Sequence, residues 1–185
     1  MKIQFSKQEK IDILENTIAW IVVFMMLVYG CGKINQFSGA ISVAKTLPEL
    51  TGMELMWAFY GYSLPYALII GFLEVTGALL IFYKRTRIIG CFLTSAILVN
   101  VILQIIFFEV LQGALITAII LQISTLIVLW MNKCKVIEAY QTLTKPTKPS
   151  ATFKKRILAF GITFVLFVVL WFLQHYLTSF ISHSL

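Results

Sequence analysis

The stretch Gly71-Phe72-Leu73-Glu74-Val75-Thr76-Gly77 lies inside the apolar run from Leu64 to Tyr83, where Glu74 is the single acidic residue. The run stops at Lys84-Arg85-Thr86-Arg87, and a further apolar run starts at once with Ile88. At ~1.5 Å of helical rise per residue, Glu74 sits roughly 15 Å from Lys84, near the middle of a hydrocarbon layer about 30 Å thick. A carboxylate at that depth costs at least ~2.5 kcal/mol on insertion scales. Gly71, Glu74 and Thr76 or Gly77 fall near one helix face. A small, polar face of this kind is expected to turn into a helix bundle and away from lipid.

Composition agrees with a membrane setting. Of 185 residues 59% are hydrophobic and only 12% charged, about half the charged share of a soluble domain, and the mean hydropathy is +0.90. The fold class that follows is all-α: a polytopic membrane protein with a four-helix transmembrane bundle plus a fifth, C-terminal transmembrane helix. The net charge of +7 would prompt a nucleic-acid reading in a soluble protein. Here the basic residues cluster between apolar runs, so membrane topology and anionic lipid account for them and nucleic acid is excluded as a partner. Cys31, Cys91 and Cys134 form no C-x-x-C and have no His at ligand spacing, which speaks against thiol–disulfide exchange and against a metal site. His175 and His183 read as interfacial or solvated.

In chain order, residues 1–15 suggest a short interfacial helix, with an uncleaved first span over 16–34. The connection 35–62 ends in the aromatic Met56-Trp57-Ala58-Phe59-Tyr60-Gly61-Tyr62, an interfacial belt or cap in its simplest reading and a ligand-stacking box in the alternative. Further spans cover 63–83, 87–108 and 113–131, the last two forming an antiparallel pair across Glu109-Val110-Leu111-Gln112. Residues 133–156, with Pro146 and Pro149, read as a basic cytoplasmic linker. It divides a membrane domain over 1–132 from a C-terminal helix and short outer tail over 157–185. With the N-terminus inside, only Lys33 and Lys45 of the 15 Lys and Arg fall outside, so the positive-inside rule sets N-in and C-out.

Several polar residues lie at depth. Lys33 follows Tyr29-Gly30-Cys31-Gly32, with Tyr29 one turn below it. One reading has Lys33 snorkelling to the headgroups; another has it reaching inward to pair with Glu74. Asn100 and Gln104 stand at i, i+4 in the third span, and Gln122 is mid-span in the fourth with Thr125 at i+3. Interhelical hydrogen bonding is the plain explanation. The alternative is a polar cavity lined by Lys33, Glu74, Asn100, Gln104 and Gln122 and open to the outer face. No Ser-His-Asp set, Walker loop, dinucleotide fingerprint or H-E-x-x-H is present, and no residue is assigned a catalytic role.

Tyr29-Gly30-Cys31-Gly32-Lys33-Ile34, Trp57-x-Phe59-Tyr60-Gly61-Tyr62-Ser63, the run from Gly71 to Leu80 and Arg85-Thr86-Arg87-Ile88-Ile89-Gly90 together give residues 16–132 a character that resembles the DoxX-like family of small bacterial membrane proteins. The resemblance implies a four-helix bundle in the bacterial cytoplasmic membrane. Some members look like subunits of thiosulfate–quinone oxidoreductases, which makes quinone the cofactor the resemblance implies, and others are linked to complexes handling thiol stress. The basic linker and the fifth helix are departures from the family pattern. The expected function is a binding or accessory subunit, not an enzyme on its own. Its partners would be the lipid bilayer, a membrane or periplasmic protein, or a small amphipathic ligand held around Tyr29, Lys33 and Glu74. The alternatives are a quinone-linked oxidoreductase subunit and a purely structural membrane protein.

Overall fold

Ser6 starts the first helix. Its hydroxyl accepts from the Glu9 N–H at 3.2 Å while the Glu9 carboxylate accepts from the Ser6 N–H at 2.7 Å, a reciprocal cap that satisfies two otherwise orphaned donors. Nothing between Lys7 and Tyr29 breaks the helix, so α1 runs unbroken from Lys7 to Gln36. The separate interfacial helix expected over 1–15 is therefore merged into the first span. At 30 residues, α1 is about 45 Å long, longer than the hydrocarbon layer needs.

The computed structural model describes residues 4–38, 46–145 and 152–184, with side chains as far as Leu177. Lys45, Pro146, Pro149 and the side chain of His183 lie outside that description. After a 3-10 turn at Leu47–Glu49, the aromatic stretch forms α2 (Gly52–Tyr62). The remaining helices are α3 (Leu64–Phe82), α4 (Arg87–Phe107), α5 (Gln112–Met131), α6 (Lys133–Leu143) and α7 (Phe153–Ser184). Helix α6 thus occupies the first part of the segment read as a linker. Among the described residues five helices are long and apolar enough to cross a membrane: α1, α3, α4, α5 and the Phe153–Leu177 part of α7. The described residues contain no strand.

The chain divides into two compact units, Met1–Tyr140 and Gln141–Leu185. In the first, α1 packs on α3, α3 on α4, α4 on α5, and α5 back on α1, closing a four-helix bundle, while α2 leans on α3. The second carries α7, where Trp171 stacks on His175 with ring centroids 6.3 Å apart.

The bundle buries alanines among medium-sized aliphatics such as Val22, Met26, Ile81 and Leu121 and turns most of its aromatic rings outward. Ala19, Ala67, Ala78 and Ala118 are buried, whereas Phe72 is 69% exposed and its near neighbour Glu74 only 2%. That pattern suits lipid, where tails are as apolar as the core and association rests on close packing and polar contacts. The closest approach joins α1 to α3. A Cβ built on Gly71 would stand 2.6 Å from the Gly30 carbonyl oxygen, and one on Gly30 would stand 2.7 Å from that of Gly71. Two backbones touch, and only hydrogen fits between them.

Gly71→Ala must therefore part α1 from α3, at an overpacking cost of ~1–3 kcal/mol. Gly32 has open space around its α-carbon, so Gly32→Ala should hold or raise stability by about 0.5–1 kcal/mol. Thermal denaturation in mild detergent checks both. Equal midpoints for the two variants would show that the Gly30–Gly71 contact does not hold the bundle.

Candidate functional site

The glycine contact sets the geometry of the buried charge pair. Gly30 and Gly71 stand face to face, Lys33 is three residues beyond the first and Glu74 three beyond the second, on antiparallel helices. Their α-carbons are thus offset in opposite directions, by roughly 4.5 Å each. Helical side chains lean toward their own N-terminus, so these two lean toward each other. Lys33 Nζ meets Glu74 Oε1 at 3.2 Å, with side chains 11% and 3% exposed. The depth mismatch between the two positions is closed by side-chain direction, and Lys33 turns inward instead of snorkelling.

Glu74 Oε2 remains buried without a hydrogen-bond partner among the described residues. So do Thr94 Oγ1 and Gln122 Oε1. Thr94 presses against α3 at Gly77, where an added Cβ would lie 2.5 Å from its hydroxyl. Counted from the nearer helix ends at Phe82, Arg87 and Met131, Glu74, Thr94 and Gln122 all lie about 10–14 Å deep. They form one polar layer contributed by three helices.

The other expected site residues go elsewhere. Gln104 accepts from the Tyr60 hydroxyl at 2.8 Å and donates to Asn100 at 3.0 Å. Gln122 donates to Ser95 at 2.7 Å, while Thr125 turns back to the Leu121 carbonyl. Asn100 and Tyr29 are exposed. The five polar residues thus fall into three hydrogen-bonded groups on different partners, and Tyr29 does not join the buried pair. Tyr60 and Ser95 were not singled out from the sequence: a Tyr in an aromatic belt and a Ser in an apolar run carry no signal of their own.

The aromatic stretch is a packed cap at this end of the bundle. Tyr60 stacks on Phe37 at 4.7 Å and on Tyr66 at 6.0 Å, and Trp57 meets Phe37 edge-on. Burial pushes the Tyr60 phenol above its ordinary pKa, and the hydrogen bond to Gln104 draws it part of the way back.

A second charge pair closes the opposite end. Arg87, 3% exposed, donates to Glu15 at 2.6 Å, to Asn16 at 3.0 Å and to the Ile81 carbonyl at 3.0 Å. Asn132 donates to the same Glu15 oxygen at 3.0 Å. One guanidinium thereby ties α1, α3 and α4 together, and Asn132 brings in the end of α5. From the sequence Arg87 reads as a topological charge and as part of the motif that opens the third span, not as a buried partner of Glu15. The available signal was that Glu15 and Arg87 each stand at the edge of an apolar run. Among the described residues no His, Cys, Asp and Glu group is arranged to hold a metal ion.

Fold and site together define a multi-pass helical membrane protein with one buried charge pair reaching the middle of its bundle and a second where α4 begins. The chain belongs to the family of the uncharacterized protein YwoB of Bacillus subtilis (strain 168), to which it is 32% identical over 127 residues, 68% of this chain and 80% of that protein. No family model matches the chain, and no solved structure matches it.

Removing one partner of a buried pair strands the other, at about 3–5 kcal/mol. Glu74→Gln and Lys33→Met should each lower the detergent melting midpoint, and the double variant should lose less than the sum of the singles. Simple additivity in that thermal double-mutant cycle would sink the pairing. Arg87→Met should be at least as damaging, since it leaves the Glu15 charge with only the Asn132 amide and frees the Ile81 carbonyl.

Proposed function

We propose that this chain is a DoxX-like binding or accessory subunit of a membrane complex in the bacterial cytoplasmic membrane, with the Lys33–Glu74 region as its ligand or partner site. The observation that carries this reading is the unpartnered Glu74 Oε2 beside an ammonium group. An ionised carboxylate accepts on both oxygens, and a buried acceptor left unmade costs about 1–3 kcal/mol. A hydroxyl or N–H donor from a small amphipathic molecule would relieve that cost. The aromatic cap built on Phe37 and Tyr60, both buried and stacked at 4.7 Å, would shield a molecule bound there from water.

The test is purification in mild detergent, followed by ultraviolet spectra and mass spectrometry of the lipid extract. A defined small molecule should accompany the wild-type chain and be lost from the Lys33→Met/Glu74→Gln double variant. A quinone in that role would move the reading to an oxidoreductase subunit. Ordinary lipid alone from both proteins would leave a structural protein and overturn the proposal. The orientation that belongs to this reading has five spans, N-in and C-out. A reporter fused after Leu185 should then be active only on the outer face, and a cytoplasmic reporter would refute that topology.

A further inference from the structure

A cavity of about 280 Å³ opens at the Arg87 end of the bundle, lined by residues of α1, the turn after α3, the end of α5 and the start of α6. Its charged lining is mixed. Asp12 and Glu15 come from α1, Lys84 follows α3, and Lys135 comes from α6. Ile11 and Met131 supply apolar wall. The cavity lies where the apolar runs of α3 and α5 stop, so it sits at the boundary between hydrocarbon and water.

Glu15 is held in place before any ligand arrives. Arg87 and Asn132 both donate to its Oε1, and the residue lines the cavity. Lys84 and Asp12 face each other at 3.5 Å and are 56% and 45% exposed, a wet, weakly coupled pair that a ligand can part at little cost. A purely anionic ligand would meet the two carboxylates, and a purely cationic one the two ammonium groups. A ligand carrying a phosphate and a primary ammonium a few bonds apart satisfies both sets.

We propose that this cavity binds a phosphoethanolamine group, its phosphate between Lys84 and Lys135 and its ammonium donating to Asp12 and Glu15. The chemistry is the same whether the group heads a phospholipid or is free in solution. A choline group has no N–H to donate, and a glycerol group has no positive charge, so both should be rejected.

Cys134 lines the cavity and is exposed, whereas Cys31 is exposed on α1 near Lys33, at the other end of the bundle. Maleimide labelling of the full chain in detergent, read by peptide mass spectrometry, therefore carries its own reference. Dihexanoyl phosphatidylethanolamine should slow labelling of Cys134 severalfold and leave Cys31 unchanged. The matching phosphatidylcholine and phosphatidylglycerol should slow neither. Asp12→Asn, at a half-exposed position that leaves the bundle intact, should raise the protecting concentration about tenfold, the effect of losing one charge-assisted hydrogen bond. Protection by free phosphoethanolamine at the same concentration would support the proposal with a soluble ligand, and protection by the diacyl form alone would support it with a lipid. Absence of protection, equal protection by all three lipids, or an unchanged Asp12→Asn would overturn it.

Discussion

The bundle depends on two backbones touching at Gly30 and Gly71. Without side chains there, α1 and α3 come close enough for Lys33 and Glu74 to lean into each other, one from each side of the contact. Van der Waals packing at such a point matters more in lipid than in water, because lipid supplies no hydrophobic drive between helices. The charge pair is a poor stabiliser in itself: apolar replacements of buried pairs are often neutral or better. What it adds is register. A slip of one residue would carry the ammonium group away from the carboxylate and leave both charges in a medium that tolerates neither alone.

Helix α1 takes part in both sealed pairs. Glu15 and Lys33 are separated by about 27 Å of helix, close to the thickness of the hydrocarbon layer. Arg87 at one end draws α1, α3 and α4 together through side-chain and carbonyl acceptors, and the Gly30–Gly71 contact does the same for α1 and α3 at the other. Between them lies the layer of Glu74, Thr94 and Gln122 oxygens without hydrogen-bond partners among the described residues. The Arg87 end is pinned by satisfied polar groups, and the middle keeps unused hydrogen-bonding capacity. A membrane protein that only needed to stay folded would gain by making that layer apolar.

How much of the site could be read without coordinates varied from residue to residue. Glu74 announced itself, since one carboxylate in a long apolar run has to be explained. Lys33 stood next to two glycines at a helix end, yet snorkelling and pairing were equally open until the helices were placed. Glu15 and Arg87 were masked by their position: charges at the edges of apolar runs are ordinary, and nothing local separates a buried one from a solvated one. Gln104 and Gln122 were marked as polar and deep, but their partners Tyr60 and Ser95 come from other helices, and a shared cavity was one arrangement among several.

The sequence by itself determined the class of fold, the five apolar helices, and the inward turn of the Gly71–Glu74–Gly77 face. These follow from hydropathy and helical period, which are local properties of consecutive residues. Tertiary structure decided the rest. It merged residues 7–36 into one helix, folded the aromatic stretch into a cap, and chose the partner of every buried charge. Arg87 and Glu15 are 72 residues apart in the chain. Their meeting depends on the rotation and register of whole helices, which in turn depend on where two glycines allow backbones to touch. No period in a single helix carries that information, because it belongs to the contact between helices.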